Sequence, residues 1–191
     1  MMSNRCSDAM RFSSPRELPV IRKFGRSCAL ALLAAVLGAV LGASAAGAAT
    51  VGDLAPDFAL PAAAGGNVRL SEHRGEVVLL TFWSSRCAVC VAQLAALGEL
   101  QTTYRSAGLV TLAVSVDDDL PRATRFAKSH PERFPLLFDR HKEVSRVYRI
   151  ERLPTTVLID RRGRVRFLQA DDRGTDNSYV AQVRALLDDP L

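Results

Sequence analysis

The run Val77-Val78-Leu79-Leu80-Thr81-Phe82-Trp83-Ser84-Ser85-Arg86-Cys87-Ala88-Val89-Cys90 decides how this chain folds. Its first half is a continuous apolar stretch of the kind that forms a strand buried on both faces. From Cys87 the pattern turns helical, with Val91, Leu94, Ala95, Leu97 and Leu100 at spacings of three and four. Two cysteines with two residues between them therefore fall at a strand-to-helix junction. At the helix start, backbone N–H groups and the positive end of the helix dipole favour the Cys87 thiolate over the thiol. Cys90, one turn further in, is expected to be more buried. Three chemistries use such a pair: disulfide exchange, a structural staple and a metal site. A staple closing so small a loop constrains the unfolded chain little. A tetrahedral zinc site needs two more ligands, and no second Cys pair or His cluster accompanies this one. His73, His130 and His141 lie in polar, loop-like surroundings and read as surface residues. Exchange is the favoured reading.

On the N-terminal side, Asp53–Pro61 and Asn67–Leu70 read as short extended pieces around the turn Ala64-Gly65-Gly66. On the C-terminal side, Gly108 closes the helix and Leu109–Val116 is a second buried strand. Pro121–Lys128 follows as a helix, with Asp117-Asp118-Asp119 before it as a capping cluster rather than a metal site. Pro135–Phe138 is strand-like and Lys142–Tyr148 a helical turn or two. Thr155–Ile159 and Val165–Leu168 form a hairpin across Asp160-Arg161-Arg162-Gly163. Ser178–Leu187 is a last helix with Val180, Val183, Leu186 and Leu187 on one face. Strands alternating with helices, then a hairpin and a helix, imply an α/β fold with a mixed sheet covered on both faces.

The first 48 residues do not read as domain. Arg22, Lys23 and Arg26 precede an uncharged stretch whose apolar heart, Ala29–Leu41, gives way to small residues in Gly42–Ala49. This is the order of a secretory signal, with an uncleaved N-terminal anchor as the rival reading. Residues 49–191 then form one domain. Of the 25 Lys and Arg and 20 Asp and Glu, six basic and two acidic residues fall in the leader, leaving 19 against 18. So even a balance argues against nucleic acid as a partner. Cys6 and Cys28 also fall in the leader, so Cys87 and Cys90 are the cysteines of the domain. In an oxidising compartment they would be disulfide-bonded unless something reduces them.

Four segments together resemble one family. They are Val51-Gly52-Asp53-Leu54-Ala55-Pro56-Asp57-Phe58, the Phe82-Trp83…Cys87-Ala88-Val89-Cys90 site, Val114-Ser115-Val116-Asp117, and Leu153-Pro154-Thr155-Thr156-Val157-Leu158-Ile159-Asp160. In this order they look like the TlpA/ResA-type branch of the thioredoxin-fold thiol–disulfide oxidoreductases. The resemblance implies a thioredoxin-like fold with an N-terminal β extension. It implies Cys87 as nucleophile, Cys90 as resolving thiol and a cis peptide bond before Pro154. It further implies substrate contacts at Trp83, Leu153, Pro154 and Thr155, with the Leu153 backbone pairing with an extended partner segment. No cofactor is expected beyond the redox-active Cys87–Cys90 disulfide.

The chain departs from the family pattern at four positions. Gln93 stands where relatives commonly carry an acid, Ala95 where many have a proline, and Arg86 where Trp is frequent. Thr81 takes the place of thioredoxin's buried Asp. No carboxylate is thus visible to tune the thiol, and Glu76 reads as a solvated loop charge.

The function expected is an exported, monomeric exchange enzyme acting on protein thiols and disulfides in the periplasm. It would act as a reductant, in cytochrome c or copper-centre maturation, supplied by a membrane thiol-reductant transporter. Two rival functions remain. One is a peroxidase of the peroxiredoxin type, against which stands the lack of a proline before Ser84 in Val77–Ser85. The other is a Cu(I)-binding metallochaperone, weakened by the absence of a nearby Met or His.

Overall fold

The computed structural model describes residues 49–170 and 178–189. The leader expected over residues 1–48 lies outside the described residues. The elements in chain order are β1 (Ala59–Pro61), β2 (Asn67–Arg69), β3 (Val77–Trp83), α1 (Ala88–Tyr104), β4 (Leu109–Ser115) and α2 (Leu120–Ser129). There follow β5 (Leu136–Phe138), α3 (Glu143–Val147), β6 (Thr155–Ile159), β7 (Val165–Ala170) and α4 (Ser178–Asp188). Short 3-10 turns occupy Leu70–His73 and Arg105–Ala107, and Gly108 ends the latter at φ 95°.

Five strands form one sheet in the order β5-β4-β3-β6-β7, and β1 and β2 form a separate antiparallel pair. All seven residues of β3 are buried, Thr81 being the one polar side chain in an otherwise apolar run. Its alternate residues feed two cores. Val77, Leu79 and Trp83 pack with Leu94 and Leu97 of α1 and with Val183 and Leu186 of α4. Val78, Leu80 and Phe82 pack on the opposite face with Phe58, Leu70, Val144 and Tyr148. Each fully buried Leu or Phe contributes roughly 1.5–3 kcal/mol relative to remaining exposed. A central strand that fills both cores is thus the largest apolar contributor of its length.

The expected thioredoxin-like architecture is present: a mixed sheet with helices on its faces and an N-terminal β extension. The extension is more irregular than the sequence suggests. Of Asp53–Pro61 only Ala59–Pro61 forms a strand, because Pro56 has no N–H for a ladder and Gly52 turns the chain at φ 98°. The preceding residues bond instead to the β6–β7 hairpin, through Gly52 N–H to the Val165 carbonyl (2.7 Å) and Ala55 N–H to the Gly163 carbonyl (2.9 Å).

One buried phenol ties this extension to the second core. Tyr148 Oη donates to the Pro56 carbonyl at 2.8 Å, and its ring lies 5.6 Å from Phe82 and 6.3 Å from Phe58. Tyr148→Phe keeps the ring packing and leaves a carbonyl unpaired, so it is expected to lower unfolding free energy by about 1–2 kcal/mol. Urea denaturation followed by circular dichroism measures it, and an unchanged midpoint would remove the phenol from the account.

Candidate active site

The site sits where three loops leave the same end of the sheet, and strand direction explains why. β4 runs parallel to β3 with Trp83 opposite Ser115, so both strands end together. β6 runs antiparallel to β3 with Phe82 opposite Thr155, so it begins where β3 ends. Residues 84–87, 116–119 and 150–154 are thereby brought to one edge, although they lie far apart in sequence.

Cys87 is the N-cap of α1, extended at φ −93° and ψ 99°, and its Sγ accepts the Cys90 N–H at 3.1 Å. A sulfur takes the capping role that a Ser or Asp oxygen usually fills. The same N–H is therefore aimed at the atom that carries negative charge once the disulfide is opened. Cys87 is half-buried, Cys90 has no exposed surface, and the two are joined in a disulfide with Cα atoms 5.2 Å apart. The first turn of α1 carries no acidic residue, and Arg86 beside the cap is exposed. A reachable sulfur on a positive helix end backed by a buried sulfur is equipped to exchange disulfides.

The Leu153–Pro154 peptide bond is cis. Leu153 is half-buried and packs against the cluster that holds both cysteines, while Pro154 and Thr155 are buried. Thr155 Oγ1 closes the turn on the Arg152 carbonyl at 2.6 Å. Trp83 has no exposed surface, and its indole packs on Phe126 with centroids 4.9 Å apart. It therefore supports the site from beneath, whereas Leu153 stands at the surface edge.

The departures from the family pattern meet one another. Thr81 Oγ1 donates to Gln93 Oε1 at 3.3 Å, and Gln93 Nε2 donates to Thr156 Oγ1 at 3.3 Å. All three side chains are buried, and Gln93 lies one helical turn beyond Cys90 on the same face. A neutral amide that both donates and accepts satisfies the two hydroxyls without burying a charge. Glu76 is not part of this arrangement: it pairs with His73 Nδ1 at 2.8 Å on the surface.

Sequence reasoning missed the residue that holds the cysteine loop. Asp119 caps α2 as expected, accepting from Arg122 N–H at 3.0 Å. Asp117 does something else. Its carboxylate accepts from Ser84 Oγ (2.8 Å), Ser85 N–H (2.9 Å), Ser85 Oγ (2.8 Å) and Ser115 Oγ (2.8 Å). Arg122 Nε adds a bond to Ser85 Oγ at 3.1 Å. Burial works to raise the Asp117 pKa, but the bonds from Ser85 N–H and the Ser84, Ser115 and Ser85 hydroxyls outweigh it and hold the carboxyl below its ordinary value. The available signal was the pairing of Ser84-Ser85 with an acid at a strand end, which becomes meaningful only once β3 and β4 are known to be neighbours.

Two expectations follow from these contacts. In Asp117→Asn an amide replaces two acceptor oxygens, and the loss is about 1–2 kcal/mol near neutral pH. Because the folded-state pKa is depressed, the carboxylate's contribution is complete above about pH 4 and fades as the pH falls through the lower folded value. Urea midpoints of wild type and variant should therefore converge in acid, and a constant gap would rule out the ionised clamp. Gln93→Glu places a buried carboxylate near the thiols, which disfavours thiolate. The pH at which reduced Cys87 becomes reactive to iodoacetamide should rise, and an unshifted profile would put position 93 out of electrostatic reach.

Comparison with known proteins agrees with this geometry. The model of the AhpC/TSA family matches residues 51–168. The thiol–disulfide oxidoreductase ResA of Geobacillus kaustophilus is 38% identical over 119 residues, which is 62% of this chain and 68% of that protein. ResA of Bacillus subtilis is 32% identical over 114 residues, or 60% of this chain and 64% of that protein. A Chlorobium tepidum structure described as a candidate thiol:disulfide interchange protein DsbE superimposes with a TM-score of 0.69 at 35% identity. It covers 73% of this chain and 99% of its own. Sequence, fold and cysteine geometry converge: the chain belongs to the AhpC/TSA family, is a TlpA/ResA-like redoxin within it, and is a thiol–disulfide oxidoreductase.

Proposed function

We propose that the protein is an exported dithiol reductant that opens disulfides in extracytoplasmic protein partners. The observation that carries the exchange step is the unequal burial of the pair, Cys87 half-buried on the helix cap and Cys90 with no exposed surface. The Cys87 thiolate attacks one sulfur of a partner disulfide and releases the other as a partner thiolate. Cys90, once deprotonated, attacks Cys87 Sγ, releases the second partner thiol and closes the Cys87–Cys90 bond. Two electrons pass to the partner, and the enzyme leaves oxidised. The Leu153 backbone, at the surface edge before Pro154, is suited to receive an extended partner segment as an added strand.

Export rests on the basic, apolar and small-residue order of Arg22–Ala49. Cytochrome c or copper-centre assembly proteins are the clients in this reading, and a membrane thiol-reductant transporter returns the pair to the dithiol. Among the described residues no helix is long and apolar enough to cross a membrane.

Cys90→Ser removes the resolving thiol and should accumulate a mixed disulfide through Cys87 in extracytoplasmic extracts, visible as an adduct on non-reducing gels. Cys87→Ser should accumulate none, and adducts that form equally in both variants would overturn the assignment of roles. A reduction potential near about −270 mV supports the reducing direction, while one near about −120 mV reverses it.

A further inference from the structure

Beside Leu153 the surface opens into a groove of about 530 Å³. Its position relative to the cysteines is set by backbone pairing. Val116, in its lining, donates its N–H to the Trp83 carbonyl at 2.9 Å, and Leu153, also in its lining, lies two residues before the partner of Phe82. The groove therefore flanks the end of β3 from which the Cys87 loop emerges. Lys142, Arg146, Arg149 and Arg152 line it, against the acids Asp118 and Glu151.

The backbone at the two ends of α3 aims the basic side chains, and one observation, their unmatched charge, separates this groove from an ordinary solvated face. Lys142 and Arg149 are the two non-glycine residues with positive φ among the described residues, at 56° and 52°. These conformations belong to the ends of α3: Lys142 N–H closes a turn on the Asp139 carbonyl at 3.2 Å, and Arg149 and Ile150 N–H cap the helix on the Arg146 and Ser145 carbonyls at 3.0 and 2.9 Å. Both bracket α3 and both place a cation in the groove. The internal charge is also incompletely matched. Lys142 Nζ pairs with Asp118 Oδ1 at 3.2 Å and also donates to the Val116 carbonyl. No hydrogen bond or ion pair joins the exposed Arg146 and Arg149 guanidinium groups to another described residue.

We propose that this groove receives an acidic segment of the same partner polypeptide whose disulfide meets Cys87. The proposal rests on the exchange reading above and adds the partner's chemistry to it. A partner strand paired with the Leu153 backbone runs beside the groove that Leu153 itself lines, and the field of the arginines reaches about 8 Å in physiological salt. Aspartate or glutamate there would gain forked hydrogen bonds from guanidinium as well as long-range attraction. The groove so selects among exposed disulfides, and the arginines act by positioning and recruiting the partner rather than on the sulfur atoms.

The test uses the reduced protein and three synthetic peptides with the same internal disulfide, flanked by runs of Asp, Ser or Lys. Stopped-flow oxidation gives a second-order rate constant for each. At low salt the Asp peptide should react about tenfold faster than the Ser peptide and the Lys peptide more slowly, the differences closing in high salt. In the double variant R146Q/R149Q the Asp-to-Ser ratio should fall to within about twofold. Reading a ratio within one protein cancels any general loss of folding or thiol reactivity. Equal rates for the three peptides, or an advantage that survives in the double variant, would overturn the groove as a selector. Sedimentation with phosphatidylglycerol vesicles that is lost in the double variant, with no peptide preference, would assign the charge to a membrane surface and overturn it as well. Failure to oxidise with any peptide would instead bring down the exchange reading itself.

Discussion

The opposite directions of β3's two neighbours are the constraint on which the rest of this protein depends. One buried strand pairs in parallel with β4 and antiparallel with β6. The parallel neighbour delivers its C-terminal end, and so Asp117, to the place where β3 stops. The antiparallel neighbour delivers its N-terminal end, and so Leu153 and Pro154, to the same place. A one-residue slip in either ladder would exchange the faces of every side chain in the strand and scatter the site. Because both faces of β3 are buried, such a slip would also empty two cores, so packing enforces the register that the chemistry needs.

Around that junction, charge is managed by position rather than by number. One helical turn beyond Cys90 the polar contacts are neutral, with Thr81, Gln93 and Thr156 satisfying one another. The negative charge is kept to the loop side, where Asp117 is absorbed by three serine hydroxyls and a backbone N–H. What Cys87 meets at short range is a helix N-terminus and the Cys90 N–H. This distribution favours a thiolate at the accessible sulfur while leaving the buried one in neutral surroundings. The basic groove next to Leu153 extends the same polarity outward to the surface.

Much of the fold was legible because its elements announce themselves locally. The continuous run Val77–Trp83 could be little other than a central strand, and Gly108 ended the following helical segment at the residue expected. The N-terminal extension was less legible, since its hydrogen bonds go to the β6–β7 hairpin rather than to a neighbour in sequence. Gln93 was visible only as a missing acid, and its role as a link between two threonines depends on strands brought beside α1 by folding. Asp117 looked like its neighbours Asp118 and Asp119, and only tertiary contact separates a loop clamp from a helix cap.

By itself the sequence determined the strand-to-helix junction, the cysteine spacing and the order of elements, because apolar periodicity and the start and stop residues of helices act within a few positions. It also fixed which residues were available as donors, acceptors and charges. Only the tertiary structure decided which of them meet. The assembly of Cys87, Asp117 and Leu153 at one sheet edge, the burial of Trp83, and the gathering of Lys142, Arg146 and Arg149 into one groove all follow from strand pairing across long sequence separations. Such pairing is set by the burial of a whole core, and no local pattern encodes it.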